Sequence, residues 1–434
     1  MTAASARDGM AVGRAARGDI AALALICARG LTILSVVLLF CVSSMLLQHV
    51  GYNYETPGGS PLEKMHPGTL VAALAALALL ASRARPFAFI AEILARHLGM
   101  AAFVCVWCVL LAYLLLVQKS PFTAIIDTFL LPVIMFVLIG AQRAQLERPL
   151  EIFLHAFLAV NCLLGLFEVA SGWRLVPYVA NGVPILDDWR ATAILGHPLA
   201  NASITGCYLL VLMLGGGERL RGAPRAAMLC LTVAAMVAFG GRAATALLFL
   251  FAGPVAFIRF LTAIAYGRAT AFRAALIAFA VFAAPILLMV LAEAGAFDQF
   301  ISRFIDDRGS AQARVAMFDL FDYLSWRDIL IGPDPALIDT LKQIEGLEFG
   351  IESFWVSSIL AYGLIMAGIV YVSLFLFCRD LARATRPAAW MLLGYFFAVA
   401  STSVSLSAKS AILAIVVILA MVLLPPRRKR AVGA

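Results

Sequence analysis

Three arginines lie in or beside polar breaks of an otherwise apolar chain: Arg190, Arg242 and Arg314. A guanidinium group stays charged at physiological pH and binds phosphate oxygens through two parallel hydrogen bonds. Together they predict a site for one anionic ligand, and a lipid diphosphate suits such a site at a membrane face. For Arg242, which follows Gly240 and Gly241, the alternative is an arginine that reaches lipid phosphates and only anchors the chain.

A histidine and a glutamate stand at the starts of two apolar runs. His197 follows Arg190 by seven residues, and Gly196 and Pro198 shape a turn there. The spacing can present both polar side chains at one membrane face; the alternative is a loop that only caps a helix. Glu352 opens a later apolar run, where a carboxylate is stabilised by the helix dipole whether or not it has another role.

Motifs for nucleotide or metal chemistry are absent from the sequence. There is no P-loop, no G-x-G-x-x-G, no H-E-x-x-H and no His/Cys cluster of metal-binding spacing. The acidic pairs Asp187-Asp188 and Asp306-Asp307 lack the Asp-x-Asp spacing of metal-dependent nucleotide-sugar transferases. A lipid-diphosphate leaving group needs no metal where arginines neutralise its charge. We therefore expect neither a metal nor a cofactor.

The elements that position these residues are membrane helices. Of 434 residues, 63% are hydrophobic and 13% charged, against about 25% charged in a soluble domain. Apolar runs near 20 residues recur, which predicts an all-α polytopic membrane protein forming a single integral domain over 1–434. We count about twelve spans: 29–49, 67–82, 98–117, 122–141, 150–170, 199–214, 226–241, 243–261, 274–294, 352–377, 389–407 and 409–424.

Basic residues divide unequally between the two sets of connecting segments. Twenty-one of the 33 lie in one set, which includes both termini, and eleven in the other, while Arg29 stands at the border of the first span. By the positive-inside rule the richer set is cytoplasmic, so both termini are inside and 295–351 forms a long periplasmic loop with short helices at about 311–324 and 337–347. Orientation also explains the net charge of +8, so we expect no nucleic-acid partner.

Four segments carry a resemblance to a known family. The chain resembles the bacterial O-antigen ligase and Wzy-type polysaccharide polymerase superfamily in architecture and in these motifs: Trp189-Arg190 to His197-Pro198-Leu-Ala-Asn201, Phe239-Gly-Gly-Arg242, Ala313-Arg314 to Phe318 with Ile331-Gly332, and Glu352-Ser353-Phe354 to Ala361-Tyr362-Gly363-Leu364. Ligases of lipid A core usually carry His where Glu352 stands, and Gly332-Pro333-Asp334 replaces a Gly-x-Gly. These departures favour an exopolysaccharide or capsule polymerase similar to the VpsF-like branch.

The resemblance implies a metal-independent glycosyltransferase of the bacterial inner membrane. A sugar hydroxyl of the acceptor would attack a polyprenyl-diphosphate-linked oligosaccharide, whose diphosphate Arg190, Arg242 and Arg314 would hold. Glu352 is the first candidate for the general base and His197 the second. A flippase and a chain-length regulator are the partner proteins that such a polymerase implies.

Other functions stay open at this point. Ligase-type transfer to a different acceptor uses the same donor. A twelve-span transporter or flippase would want charge within its spans, for which Asp127 and Glu168 are the candidates. A non-catalytic partner in polysaccharide assembly is a third alternative.

Overall fold

The computed structural model describes residues 3–54, 58–119, 122–180, 183–185, 188–266, 310–347, 350–403, 406 and 409–426. The predicted ninth span (274–294), Asp187 and the pair Asp306-Asp307 lie outside the described residues, as does the side chain of Arg314.

Helices make up the described fold, apart from one antiparallel pair of two-residue strands, β1 (Val179–Ala180) and β2 (Val183–Pro184). The first eleven helices are α1 (Ala3–Cys41), α2 (Ser44–His49), α3 (Pro67–Ala81), α4 (Pro86–Arg96), α5 (Leu98–Tyr113), α6 (Thr123–Ile125), α7 (Leu131–Ala141), α8 (Arg143–Ser171), α9 (Pro198–Met213), α10 (Ala223–Phe239) and α11 (Arg242–Ala265). The rest are α12 (Ser310–Asp319), α13 (Trp326–Ile331), α14 (Pro335–Ile344), α15 (Phe354–Tyr362), α16 (Leu364–Ala384), α17 (Ala389–Ala400) and α18 (Ile412–Leu423). Proline begins several of them, where its missing N–H costs no hydrogen bond.

Among the described residues, six helical stretches are long and apolar enough to cross a membrane. They are Asp19–Cys41, Leu98–Gln118, Thr123–Ala141, Arg143–Ser171, Arg242–Thr262 and Leu364–Ala384. Helices α3 and α4 would add a seventh if they form one span bent by 112°. The chain is thus all-helical with the composition of a membrane-embedded protein, while the count of twelve spans and the periplasmic loop stay predictions.

Two short helices form the centre of the bundle. Every residue of α18 from Leu413 to Leu423 is buried, and so is every residue of α9 from Asn201 to Leu212. Helix α18 is apolar on all sides, as expected for a helix surrounded by protein, and α9 is mostly apolar but also buries Asn201, Ser203 and Thr205. Helix α9 has 16 residues and α18 has 12, so both are shorter than the roughly 20 residues that a lipid-facing span needs.

Contacts join several segments at one end of the bundle, which we call the loop end. The Lys409 ammonium donates to the carbonyl of Tyr54 (3.0 Å), and the Trp355 indole donates to the Ser401 hydroxyl (2.6 Å). Three further contacts at this end are Ser410 N–H to Thr128 Oγ1, Tyr113 Oη to the Ile331 carbonyl, and Gly196 against Ser43.

Arginines of the predicted cytoplasmic set bind carbonyls at helix C-termini. Arg143 donates to the carbonyl of Ala384 at the end of α16 (2.9 Å). Arg225 donates to the carbonyl of Leu212 near the end of α9 and to that of Gly216 (2.8 Å). Positive charge there is favoured by the helix dipole, so these arginines stabilise helix ends.

The tenth predicted span, 352–377, is wrong as a single helix. The chain breaks at Gly363 (φ 80°), and the Tyr371 hydroxyl donates to the carbonyl of Trp355 at 2.9 Å. Sixteen residues of continuous helix would separate these two by about 24 Å. Hence α15 folds back along the first turns of α16, because only glycine readily adopts this φ and a Cβ there would strike the backbone of Ile331 and Gly332.

The first predicted span is displaced as well. The helix that was expected over 29–49 spans Asp19–Cys41 and ends before Ser43, which caps α2 through its hydroxyl (3.2 Å to the N–H of Leu46). Arg29, expected at the border of the span, therefore lies near its middle. The two short helices expected at 311–324 and 337–347 are α12, with a 3-10 turn after it, and α14.

Candidate functional site at the loop end of the bundle

Buried polar side chains of α8 and α9 hold the segment that contains Arg190 and His197. The Glu168 carboxylate accepts three hydrogen bonds of 2.9 Å, from the backbone N–H groups of Leu175, Thr192 and Ala193. Asn201 donates to the Thr192 carbonyl at 2.6 Å, and Asn161 accepts from the N–H of Ile194 at 3.0 Å. A buried carboxylate requires such donors, so Glu168 here organises a loop.

The guanidinium of Arg190 is paired with Asp188. Its Nε donates to Oδ1 and Oδ2 of Asp188 at 3.0 and 2.9 Å, Nη2 also donates to Oδ2, and each side chain is 10% exposed. The guanidinium carbon lies 6.0 Å from the centroid of the Tyr178 ring. The pairing fixes the direction of the guanidinium and cancels part of its charge, so Arg190 needs a second cation to bind a diphosphate.

The turn before α11 lies directly against Arg190. A Cβ on Gly240, whose φ is 61°, would lie 2.7 Å from Cγ of Arg190, which explains the glycine. Gly241 packs against Ala202 of α9, and the half-buried Arg242 is the first residue of α11. Arg190 thus packs on the turn that leads into Arg242, which connects two of the three arginines predicted for the site. The third, Arg314, lies in α12.

His197 is the N-cap residue of α9. Its Nδ1 accepts a hydrogen bond from the N–H of Leu199 at 3.2 Å, and its ring lies 5.4 Å from that of Tyr178. Burial lowers the pKa of His197 to about 4, and the charge of Arg190 acts in the same direction. The imidazole is therefore neutral at pH 7, with its proton on Nε2 and its one basic nitrogen occupied by the cap.

Glu352 lies among other helices at the same end of the bundle. It is half-buried and precedes Ser353, the N-cap residue of α15, whose side chain makes no capping hydrogen bond. The next residue, Phe354, is fully buried, with its ring 6.5 Å from Phe129 and 5.4 Å from Tyr371. Glu352 therefore lies with α15 and α16, whereas Arg190 and Arg242 lie with α8 to α11.

A buried polar cluster around Asp127 went unrecognised in the sequence. The fully buried carboxylate accepts hydrogen bonds from Tyr54 Oη (2.8 Å), Thr69 Oγ1 (2.7 Å) and His66 N–H (3.1 Å). The Lys409 ammonium lies 3.8 Å from the centroid of the Tyr54 ring. In the sequence, only the position of Asp127 within an apolar run pointed to this cluster. Its hydrogen-bond partners come from distant loops, and no motif of fixed spacing connects them.

Among the described residues, no three His, Cys, Asp or Glu side chains come together in a way that would hold a metal ion. No family model, curated protein or solved structure matches this chain. A functional assignment therefore depends on the geometry of the loop end and on the sequence motifs.

Proposed function

We propose that the protein is a metal-independent glycosyltransferase that polymerises lipid-diphosphate-linked oligosaccharide repeat units in exopolysaccharide, capsule or O-antigen biosynthesis. It would act at the outer face of the bacterial inner membrane, with both termini in the cytoplasm. The observation that carries the proposal is the packing of Arg190 against the turn that starts at Gly240 and leads into Arg242. Two arginines joined through one short turn suit a diphosphate, because guanidinium groups bind phosphate oxygens through paired hydrogen bonds.

The reaction transfers the sugar of the donor to a hydroxyl of the acceptor. The acceptor oxygen bonds to the anomeric carbon, the bond from that carbon to the phosphate oxygen breaks, and the lipid diphosphate leaves with its electron pair. Arg190, Arg242 and Arg314 stabilise the charge that develops on the leaving group, which is commonly the largest contribution to such catalysis. Asp188 orients Arg190 for this role.

The proton of the acceptor hydroxyl passes to a base, for which Glu352 suits better than His197. Glu352 has a half-buried carboxylate just before α15, and a carboxylate is a common general base. His197 has its basic nitrogen in the cap of α9 and a pKa lowered by burial to about 4, below the range of an efficient base at neutral pH. The expected partner proteins are a flippase, which supplies the donor, and a chain-length regulator.

The proposal is tested by measuring the size distribution of lipid-linked and secreted glycan in cells that lack this protein. Single repeat units on lipid, with no polymer, are expected of a missing polymerase. A complete polymer that stays on lipid would indicate ligase-type transfer to another acceptor instead. Unchanged glycan in both fractions would contradict either transferase.

A transporter or flippase is the second candidate, and the buried Asp127 favours it. An ionisable residue within a span commonly marks an ion or proton path, and π-helical stretches such as Ile126–Leu130 are frequent at functional sites. Repeat units confined to the cytoplasmic leaflet of cells that lack the protein would support this candidate over the polymerase.

A further inference from the structure

A pocket of about 70 Å³ lies beside α15, and neither Arg190 nor Arg242, which we call the arginine cluster, lines it. Its walls come from the π-helical stretch Ile126–Leu130, from α15, and from the segment that contains Lys409. One water needs about 10–15 Å³ of such space, so the pocket has room for several waters or for the hydroxyl-bearing edge of one sugar ring.

The lining of the pocket is polar and aromatic together. Thr128, Ser357 and Ser358 contribute hydroxyl groups, Lys409 contributes an ammonium, and Phe129 contributes an aromatic ring. Hydroxyl and ammonium groups hydrogen-bond to sugar hydroxyls, while an aromatic ring provides apolar surface for the C–H groups of the sugar.

Charge distinguishes this pocket from the arginine cluster. Lys409 adds one positive charge, and Asp127 behind the wall adds one negative charge. Burial lowers the pKa of His66 next to them, so that imidazole is neutral at pH 7. These two charges cancel, so the pocket suits an uncharged hydroxylated group better than a diphosphate.

The position of the pocket relates it to Glu352. Ser357 and Ser358, which line the pocket, lie in the first turns of α15, and α15 begins two residues after Glu352 in the chain. We infer that this pocket binds the hydroxyl-bearing end of the acceptor glycan, close to the base, while the arginine cluster binds the diphosphate of the donor. The inference rests on the proposed function and adds to it the place of the acceptor.

Filling the pocket tests the inference. The half-buried Ala124 lines it, so Ala124→Leu in the full-length protein inserts methyl groups into the space for the acceptor. Ala112→Leu, on the exposed face of α5, is the matched control. The assay uses reconstituted protein, a lipid-linked donor that lacks its own acceptor hydroxyl, and the repeat-unit oligosaccharide released from lipid as the acceptor.

Ala124→Leu should raise the KM for the released oligosaccharide about tenfold or more and leave the KM for the donor unchanged. If that variant misfolds in detergent, Ser357→Ala decides, with an expected rise of about threefold to tenfold for one lost hydrogen bond. An unchanged acceptor KM in an active, folded variant, or a raised donor KM, would overturn the inference alone. Absence of any product from the parent protein would instead overturn the proposed function.

Discussion

At the scale of single residues, Glu168 and His197 have structural roles at the loop end of the bundle. Glu168 accepts hydrogen bonds from three backbone N–H groups, and His197 caps α9. Arg190 is held in a fixed direction by Asp188, against the turn that leads into Arg242, and Glu352 is a half-buried carboxylate just before α15. Arg190 and Glu352 are therefore the residues at which the proposed function is tested most directly.

Replacing Arg190 by Ala should lower polymer formation about 10²–10³-fold at equal protein level, as for the loss of one group that stabilises developing charge. Lys should restore little, because a point charge cannot keep the two-pronged contact with Asp188. Polymer yield in membranes supplied with lipid-linked repeat units measures both variants. Arg174→Ala removes the same charge from the same loop and should leave the yield near normal.

Glu352→Gln should give folded protein that loses about 10²–10⁴-fold of its activity if the carboxylate is the base. The amide has nearly the same shape, so stability should change little. Glu345→Gln, whose carboxylate accepts a hydrogen bond from Tyr323 on the exposed loop, is the control. A yield within a few-fold of the parent for Glu352→Gln would remove this residue from the mechanism.

His197→Asn distinguishes a cap from a base. Asn is among the best N-cap residues and should keep both fold and activity, whereas Ala should cost about 0.5–2 kcal/mol in the free energy of unfolding. In the unfolded chain His197 takes up its proton near its ordinary pKa of 6.5, and in the folded protein only near 4. Falling pH across this window therefore favours unfolding, and Asn should weaken that dependence in thermal melts at pH 4 to 7. If His197→Asn is folded but fully inactive, the role of general base would be assigned to His197 instead of Glu352.

At the scale of elements, Gly332 contacts Gly363. This contact connects the segment that contains α12, α13 and α14 with the turn between α15 and α16. The same segment shares a small apolar core with α15, which includes Leu320, Leu341 and Leu360. Two glycine backbones in contact allow α13 to pack on the end of α16, and the hairpin that they fix determines where Glu352 lies.

Gly363→Ala should therefore destabilise the protein by about 1–3 kcal/mol, because alanine is strained at a φ of 80° and its Cβ meets the backbone of Ile331. Gly368→Ala is the matched control, since it lies in α16 with no atom within 4 Å of the added Cβ and should be neutral or slightly stabilising. Thermal unfolding in detergent micelles compares the two. Equal melting temperatures would mean that the hairpin is not fixed by this contact.

The elements also show what the sequence alone could and could not predict. Each predicted span within the described residues overlaps a helix, because long apolar runs have one stable backbone solution in lipid. Hydropathy cannot distinguish one span from a helical hairpin, so the fold-back at Gly363 was missed. The arginines could be selected from charge and turn residues, but the Asp188 pairing and the Asp127 cluster depend on contacts between loops.

At the scale of the whole molecule, arginines at both ends of the bundle bind polar groups of the protein. At one end Arg143 and Arg225 bind carbonyls at helix C-termini, and Arg219 and Arg386 pair with carboxylates. At the other end Arg190 is paired with a carboxylate beside the turn into α11. Arginine contacts therefore do not assign the two ends, and the orientation stays a prediction from the positive-inside rule.

Reporter fusions test the orientation. An alkaline phosphatase inserted near Ile344 should be active, because the positive-inside rule places that segment outside, and one fused after Ala434 should be inactive. A fluorescent protein that is active only in the cytoplasm should give the opposite pattern, with fluorescence after Ala434 and none near Ile344. Phosphatase activity at the C-terminal fusion alone would reverse the map and with it the outer position of every site residue.

The buried centre of the bundle has a consequence for biosynthesis. Helix α9 has Asn201, Ser203 and Thr205 fully buried and packs against α17 and α18, which leave the ribosome about two hundred residues later. Asn201 already has partners in Asn161 of α8 and in the Thr192 carbonyl, but the side of α9 that α17 and α18 cover would face lipid until then, where an unsatisfied hydroxyl group is costly. The insertion machinery therefore has to retain α9 next to protein or water while the later helices are made, so the completion of this membrane domain is a late step rather than a helix-by-helix release.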